Sequence, residues 1–345
     1  MNIKRVTENE FAAWVEGLTS KHTMYAPQAK EDRFAFDRLT AGADLRLDYD
    51  VSILPPKKYF LPQKEVLIKF DRKGNFESVI AHEPFVLFGV HPYDFVAMDQ
   101  LNTIFEQDNF DVHYMARKEA ATVVVSDVQN ASADVFAGCM GNATVEDREG
   151  YDVLLTRLDD GSYVVDTRSE KGEALTGLLS SAVDADEATL LEREQVWSRT
   201  REQLQKHKLE MTPEQIPALL EKSYDHPLWA EKAELCHSCG SCNLVCPTCY
   251  CFTVEDELNM DMETGQRYRQ WDGCMLSGFA TVTGNHNFRD KKAARYRHRY
   301  YRKGKYVWDM IGEIACVGCG RCISACTTNI ANPVEVFNQL LEEQQ

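Results

Sequence analysis

The sequence predicts an α+β fold in three parts, and three patterns along the 345 residues lead to that prediction. Short β-like runs and helix-forming segments alternate over residues 1–185, which indicates an α/β domain. Helix formers with helical periodicity dominate residues 186–235, which we interpret as a helical connector. Closely spaced cysteines mark residues 236–345, which predicts a domain built around metal ligands.

The N-terminal part opens with a helix start signal. Thr7 and Glu10 have the spacing of a capping box, so the segment FAAWVEGLTS that follows is expected to be helical. From residue 64 onward the sequence contains a series of β-like runs: KEVLIKF, ESVIA, PFVLFGV, TVVVS, DVLLTRL and GSYVVD. The stretch GVHPYDFVAMDQLNTIF predicts a strand, a turn at His91-Pro92 and a helix from about Tyr93, which together make a βα unit.

The connector and the C-terminal tail carry their own helix signals. The segment EATLLEREQVWSRTREQLQKHK has helical periodicity. In MTPEQIPALLEKSY, Thr212 is a suitable N-cap and Pro213 a suitable first helical residue. Asn332 precedes the amphipathic segment PVEVFNQLLEE, which predicts a capped helix at the end of the chain.

The cysteine-rich part contains the same spacing twice. Each copy reads C-x2-C-x2-C-x3-C, the spacing with which ferredoxin-like chains hold cubane iron–sulfur clusters. The first copy is Cys236, Cys239, Cys242 and Cys246, and the second is Cys316, Cys319, Cys322 and Cys326. The pattern therefore predicts a ferredoxin-like domain with two [4Fe-4S] clusters. We also expect the fourth cysteine of each copy to start a helix, and Gly240, Gly318 and Gly320 to let the backbone approach the clusters.

The two copies are expected to exchange their last cysteine. In two-cluster ferredoxins the fourth cysteine of each run ligates the other cluster. Cluster 1 is therefore assigned to Cys236, Cys239, Cys242 and Cys326. Cluster 2 is assigned to Cys316, Cys319, Cys322 and Cys246.

Two other metal chemistries fit the cysteines less well. Structural zinc sites usually separate two C-x2-C pairs by a longer interval, which differs from these compact runs. The spacing of Cys242, Cys246 and Cys249 also suits a radical enzyme that uses S-adenosylmethionine, but no barrel-like run of βα units follows. Iron–sulfur clusters are the favoured interpretation.

Four of the twelve cysteines remain outside the two runs: Cys139, Cys249, Cys251 and Cys274. Four thiols are the number that a further cube needs, so we hypothesise a third [4Fe-4S] cluster at the junction of the N-terminal and cysteine-rich parts. The alternative is that some of them are small buried apolar side chains, as free cysteines often are.

Several stretches resemble one known family. They are CHSCGSCNLVCPTCYCF, GQRYRQWDGC, GNHNFRDKKAARYRHR and CVGCGRCISAC, and also LPPKKYFLPQKEVLIKF, GVHPYDFVAMDQL and GYDVLLTRLDDGSYVV. They resemble the iron–sulfur beta subunit of sulfhydrogenase-type soluble nickel–iron hydrogenases, a group that includes the corresponding iron–sulfur component of anaerobic sulfite reductase. Two departures are Thr327, where a proline is usual, and Ala137, where a C-x-C pair is expected to begin.

The resemblance implies an electron-transfer role. Proteins of this kind work beside a flavin-binding subunit that handles NAD(P)H and pass electrons to a separate catalytic module, such as a hydrogenase, a sulfite reductase or a heterodisulfide reductase-like enzyme. We expect no independent catalytic residues in this chain, because no nucleotide-binding motif or nucleophile arrangement is found. The rival class is a self-contained iron–sulfur reductase whose active site lies at a third cluster or in the N-terminal domain.

Charge and hydropathy restrict the partners and the compartment. The net charge of −16 argues against a general nucleic-acid binder. Residues 289–305 are an exception, with nine Lys or Arg and one Asp, a net +8 against −24 elsewhere. This basic segment predicts packing near anionic clusters or docking of an acidic partner, and a solvated helix face is the alternative. No apolar run approaches the roughly 20 residues that a membrane span needs, so a cytoplasmic protein of an anaerobic cell is expected.

Three further side chains have open roles. Arg321 lies between two predicted ligands, where its charge would raise a cluster potential unless it is an exposed loop residue. His91 and Asp94 resemble an acid/base pair, but we interpret them as structural because no substrate pocket can be inferred.

Overall fold

The computed structural model describes residues 2–179 and 181–344 and confirms a mixed α and β architecture. The N-terminal part contains β1 (Asn2–Val6), α1 (Glu8–Thr19), β2 (Met24–Lys30), β3 (Arg33–Leu39), β4 (Lys64–Asp71), β5 (Phe76–Ser78), β6 (Phe85–Val90), α2 (Pro92–Glu106), α3 (Val112–Ala120), β7 (Ala121–Ser126), β8 (Val153–Arg157), β9 (Tyr163–Thr167), α4 (Glu170–Thr176) and β10 (Val183–Asp184). The connector contains α5 (Glu187–Gln203), α6 (Ile216–Lys222) and α7 (Leu228–Glu234).

The cysteine-rich part is built from short elements. They are α8 (Ser241–Leu244), β11 (Phe252–Leu258), β12 (Thr264–Trp271), β13 (Thr281–Val282), β14 (His286–Asn287), α9 (Lys292–Tyr301), α10 (Val307–Ile311), α11 (Arg321–Ser324) and α12 (Pro333–Glu342). A π-helical turn at Arg302–Tyr306 joins α9 to α10. Because α9, this turn and α10 run on continuously, residues 292–311 form one helical rod that contains most of the basic segment.

The main sheet has the strand order β10-β1-β9-β8-β7-β6-β2-β3. Its centre is parallel, since β2, β6, β7 and β8 pair in parallel, and the outer pairs are antiparallel. The predicted βα unit is confirmed, because β6 leads into α2, whose first residue is Pro92. The α/β character of the N-terminal part is thus as the sequence predicts.

Strands β1, β2 and β3 were not predicted from the sequence. The β2 sequence MYAPQAK contains Pro27, and charged residues interrupt the apolar alternation of β3, RFAFDRL. The register Met24↔Leu39 to Lys30↔Arg33 fixes these two strands as a tight hairpin at the edge of the sheet. Because β2 pairs with β6 only at Met24 and Tyr25, Pro27 lies beyond that ladder and is tolerated, so tertiary pairing outweighs weak local propensity here.

A second sheet crosses the predicted boundary between the N-terminal and cysteine-rich parts. Its order is β11-β12-β4-β5, and β12 pairs with β4 from Thr264↔Asp71 to Gln270↔Lys64. The domain limits at residues 185 and 235 therefore stay predictions, since this sheet contains strands from both sides. The β11–β12 hairpin also has a local consequence: Cys251 directly precedes it and Cys274 follows three residues after it.

The predicted helix starts at Thr7 and Asn332 are confirmed, whereas the start at Thr212 and Pro213 is a 3-10 turn (Pro213–Gln215) that leads into α6. The Glu10 N–H donates to Thr7 Oγ1 at 3.4 Å, and the Thr7 N–H donates to Glu10 Oε2 at 3.0 Å, which completes the capping box of α1. Asn332 caps α12 by accepting a hydrogen bond from the Val334 N–H. The connector is helical in α5, α6 and α7, as its periodicity predicts.

One apolar core links the main sheet to the second cysteine run. Phe95, Val96 and Leu101 of α2 are buried in a cluster that also contains Val317 and Cys319. The second run therefore packs directly against the α/β part.

Candidate iron–sulfur centres

The two cysteine runs fold alike. Each run leads into a four-residue helix, α8 or α11, and the two helices pack against each other. The residue before each helix is a glycine in the left-handed region, Gly240 at φ 75° and Gly320 at φ 78°. Because the fourth cysteine lies in the turn after the short helix, the expectation that it starts a helix is wrong.

Two neighbouring cavities collect the eight cysteines of the runs. The first cavity is lined by Cys236, Cys239, Cys242 and Cys326. The second cavity is lined by Cys246, Cys316, Cys319 and Cys322. Each cavity thus receives three cysteines from one run and the last cysteine from the other, which is the predicted grouping; ligation by these residues stays a prediction.

Burial keeps several of the run cysteines neutral as free thiols. Burial raises the pKa of Cys319 to about 12 and that of Cys242 and Cys322 to about 11. The charged thiolates are therefore costly at this place unless a cation compensates them, which iron ligation provides. No three His, Cys, Asp or Glu side chains among the described residues could share a single metal ion, whereas a cube spreads its ligands over four separate iron corners.

Arg299 of α9 lies between the two cavities and lines both. Its side chain is buried at 3% exposure, and its Nε and Nη1 have no hydrogen-bond partner in the described chain. Within the same residues it has no Asp or Glu oxygen within ion-pair distance. A buried, uncompensated guanidinium is costly on its own, so the site favours an anionic group beside it, as a thiolate-bound cluster is.

The inner face of the basic segment packs against the cysteine loops. Arg295, Arg299 and Lys303 are spaced four apart and buried on one side of the rod. Arg295 Nη2 donates to Ser238 Oγ at 3.1 Å, and Lys303 Nζ donates to Thr248 Oγ1 at 2.7 Å. Lys291 and Lys292 are exposed at the start of the rod. The structure therefore favours packing near the clusters over a wholly solvated helix face.

Arg321 is buried and links the cysteine-rich part to the N-terminal part through an ion pair and hydrogen bonds. Its Nη1 and Nη2 donate to the two Asp94 carboxylate oxygens at 2.6 Å each, and its Nε donates to the Ser52 carbonyl at 2.8 Å. The alternative of an exposed loop residue is wrong, because Arg321 is 3% exposed. Its charge is matched by Asp94, so Arg299 is the stronger candidate for tuning a cluster.

His91 belongs to the same buried layer. Its ring stacks on Tyr49 with centroids 3.8 Å apart, and its Nδ1 lies 2.7 Å from the Tyr93 hydroxyl. These contacts agree with the structural interpretation of His91, and the ion pair with Arg321 agrees with that of Asp94.

Gly318 and Gly320 make room for the N-terminal part. A Cβ at Gly318 would lie 2.6 Å from the Ala137 backbone, and one at Gly320 would lie 2.4 Å from the Asp134 carbonyl oxygen. The Phe136 N–H donates to the Gly318 carbonyl at 2.8 Å, and Phe136 lines the second cavity. Both glycines therefore serve this interface, a role that the sequence did not reveal.

The four remaining cysteines have different hydrogen-bond partners. Asn243 Nδ2 donates to Cys249 Sγ at 3.5 Å and to Cys274 Sγ at 3.4 Å, and the hairpin brings Cys251 beside Cys274. Cys139 Sγ instead donates to the His207 carbonyl at 3.3 Å. Within the described residues no hydrogen bond joins Cys139 to the other three, and the four-cysteine ligand set stays a prediction.

Several side chains around the cavities were missed from the sequence. Asn243 and Lys57 give no local signal, since their partners are distant along the chain or depend on the hairpin. The spacing of Arg295, Arg299 and Lys303 was a usable signal, because residues four apart share one face of a helix.

Comparison with known proteins agrees with this picture. Residues 235–330 match the family described as "4Fe-4S dicluster domain". Along 346 aligned residues, the chain is 29% identical to sulfhydrogenase 2 subunit beta of Pyrococcus furiosus, with 99% of each chain covered. In the described residues, none of the helices has the length and apolar character that a membrane span requires. The resemblance seen in the sequence is confirmed: residues 235–330 match the 4Fe-4S dicluster domain, and the chain is similar over nearly its whole length to a sulfhydrogenase beta subunit.

Proposed function

We propose that the chain is an electron-transfer subunit that relays single electrons through two [4Fe-4S] clusters. It would connect a flavin-binding, NAD(P)H-handling subunit with a separate hydrogenase, sulfite reductase or heterodisulfide reductase-like module. The observation that carries the proposal is the pair of neighbouring cavities, each lined by four cysteines drawn from both runs. When bound, a [4Fe-4S] cluster supplies one-electron redox chemistry.

The protein holds the two sites close together and gives them unequal access to solvent. Helices α8 and α11 pack together, and Arg299 contacts both cavities, so their spacing is set by a rigid shared wall. Cys239, at the first cavity, is the exposed cysteine, whereas Cys319 in the second cavity is buried. We infer that electrons are exchanged with a partner at the Cys239 face and continue inward to the second cavity.

The experiment is a comparison of the isolated chain with the reconstituted complex. The anaerobically purified chain should contain about eight or more iron atoms and accept electrons from a chemical reductant. It should not oxidise NAD(P)H or reduce sulfite until partner subunits are added.

Two Cys-to-Ser variants give the control. Replacing Cys242 or Cys322 should remove one cluster signal and abolish transfer to the partner in the complex. Turnover of NAD(P)H or sulfite by the single chain would contradict the relay and favour the self-contained reductase.

A further inference from the structure

Three cysteines lie outside both cavities and near one another: Cys249, Cys251 and Cys274. We call them the three-cysteine group. Asn243 is 2% exposed, and its amide donates one hydrogen bond to Cys249 and one to Cys274. Sulfur is a much better acceptor as a metal-bound thiolate than as a neutral thiol, so a single amide shared by two sulfurs suits ligated cysteines.

The β11–β12 hairpin holds the group in place. Phe252 pairs with Trp271, and the Asp272 N–H donates to the Cys251 carbonyl at 3.1 Å. Since β12 is in turn paired with β4 of the second sheet, Cys251 and Cys274 are fixed on a rigid framework. Binding sites built on strands keep their geometry better than sites on free loops.

The charge around the group is the second, independent observation. Lys57 is 2% exposed, lies outside both cavity linings, and donates from Nζ to the Cys249 carbonyl. Its ammonium lies 4.5 Å from the centroid of the Trp271 ring. Across the part of the chain that the structure describes, neither Lys57 nor the nearby Lys303 has an Asp or Glu oxygen within ion-pair distance. Lys57 is thus a buried ammonium beside three thiols without a carboxylate partner, and an anion at the group would stabilise it, because an unpaired buried charge is strongly unfavourable.

We propose that Cys249, Cys251 and Cys274 hold a third iron–sulfur cube whose fourth iron has no cysteine ligand, with Lys57 as its compensating cation. Cys139 takes no part, because its thiol is engaged with the 205–207 segment. The inference rests on the proposed relay, to which it adds a third cluster beside the first two. It replaces the four-cysteine set that residue counting alone suggests.

The test is the iron content of the full chain, reconstituted anaerobically, with matched serine variants. The wild type should bind roughly twelve iron atoms, and Cys249→Ser, Cys251→Ser and Cys274→Ser should each lose roughly four. Cys139→Ser is the matched control and should keep the full content. About eight iron atoms in the wild type, one zinc in place of the third cube, or an equal loss in Cys139→Ser would overturn the proposal.

A second variant guards against misfolding of the serine variants. Lys57→Met keeps every proposed ligand and should lower the reduction potential of the third cluster most, while the cluster of the first cavity keeps its potential. Unchanged potentials for all clusters would contradict the role of Lys57 and the proposed site. Failure of this inference is distinguishable from failure of the relay. A chain that holds two clusters and still passes electrons would contradict only the third cluster.

Discussion

The two cysteine cavities share one sequence pattern and differ in their surroundings. The first opens to solvent at Cys239 and is walled mainly by the cysteine-rich part itself. The second is closed by Phe136 and lies against the core of the α/β part, with the Arg321–Asp94 ion pair beneath it. Equal spacing therefore sets how a cube is held, whereas the packing partner sets whether the site faces outward or inward.

The largest expected difference between the runs is at the residue after each left-handed glycine. Arg321→Ala leaves Asp94 buried and unpaired, so the free energy of unfolding should fall by about 3–5 kcal/mol. Ser241 occupies the corresponding position in the first run, and Ser241→Ala should cost about 1 kcal/mol or less. Anaerobic denaturant unfolding of the cluster-loaded chain measures both. Equal losses of unfolding free energy in the two variants would show that the interface beneath the second cavity adds no extra stability.

Substitutions at Gly320 and Gly240 test the same difference between the two runs. In Gly320→Ala the new methyl would meet the Asp134 carbonyl, a backbone atom that cannot yield without moving the N-terminal loop. We expect a loss of about 3 kcal/mol or more, which exceeds the roughly 1–2 kcal/mol that the left-handed conformation alone costs. In Gly240→Ala the nearest atoms belong to the flexible Leu276 side chain, so only that smaller cost should appear. A Gly240→Ala loss as large as that of Gly320→Ala, again by denaturant unfolding, would contradict this reasoning.

Solvent access should separate the two clusters kinetically. Because Cys239 is exposed and Cys319 is buried, a water-soluble oxidant or chelator should attack the cluster of the first cavity first. The measurement is iron release over time, followed by spectroscopy of the cluster that remains. Simultaneous loss of both clusters would remove the distinction between an outer and an inner site.

The smallest effect is electrostatic and should be common to both cavities. Arg299→Met removes a buried positive charge beside both sites, so both reduction potentials should fall, because the more negative reduced clusters lose stabilisation. Lys303→Met should lower mainly the potential of the second, since Lys303 lines only that cavity of the two. Redox titration followed by electron paramagnetic resonance distinguishes the patterns. An Arg299→Met variant that changes one potential alone would contradict the shared position of Arg299.

Local patterns predicted the parts of the molecule whose partners are close in sequence. The capping box at Thr7 and the βα unit at Pro92 follow from short-range spacing, whereas the grouping of cysteines into the two cavities followed from the exchange rule of two-cluster ferredoxins. The pairing of Asp94 with Arg321 joins residues 227 positions apart, and no local signal announces such a contact.

The second sheet could not be predicted from the sequence for the same reason. Strand β11 is largely polar and exposed and, within the described residues, pairs only with β12, and β12 in turn pairs with β4, far upstream. Without that hairpin, the four cysteines outside the runs look equivalent. Cys251 and Cys274 flank the hairpin, whereas the Cys139 thiol contacts the His207 carbonyl, and counting could not foresee these different surroundings.

The exchange of the fourth cysteines is the central claim, and iron anomalous diffraction from crystals of the anaerobically prepared chain tests it most directly. The account predicts one cube bound by Cys236, Cys239, Cys242 and Cys326, and a second bound by Cys246, Cys316, Cys319 and Cys322. A cube held by Cys246 together with Cys236, Cys239 and Cys242, or a single metal ion in place of either cube, would contradict it.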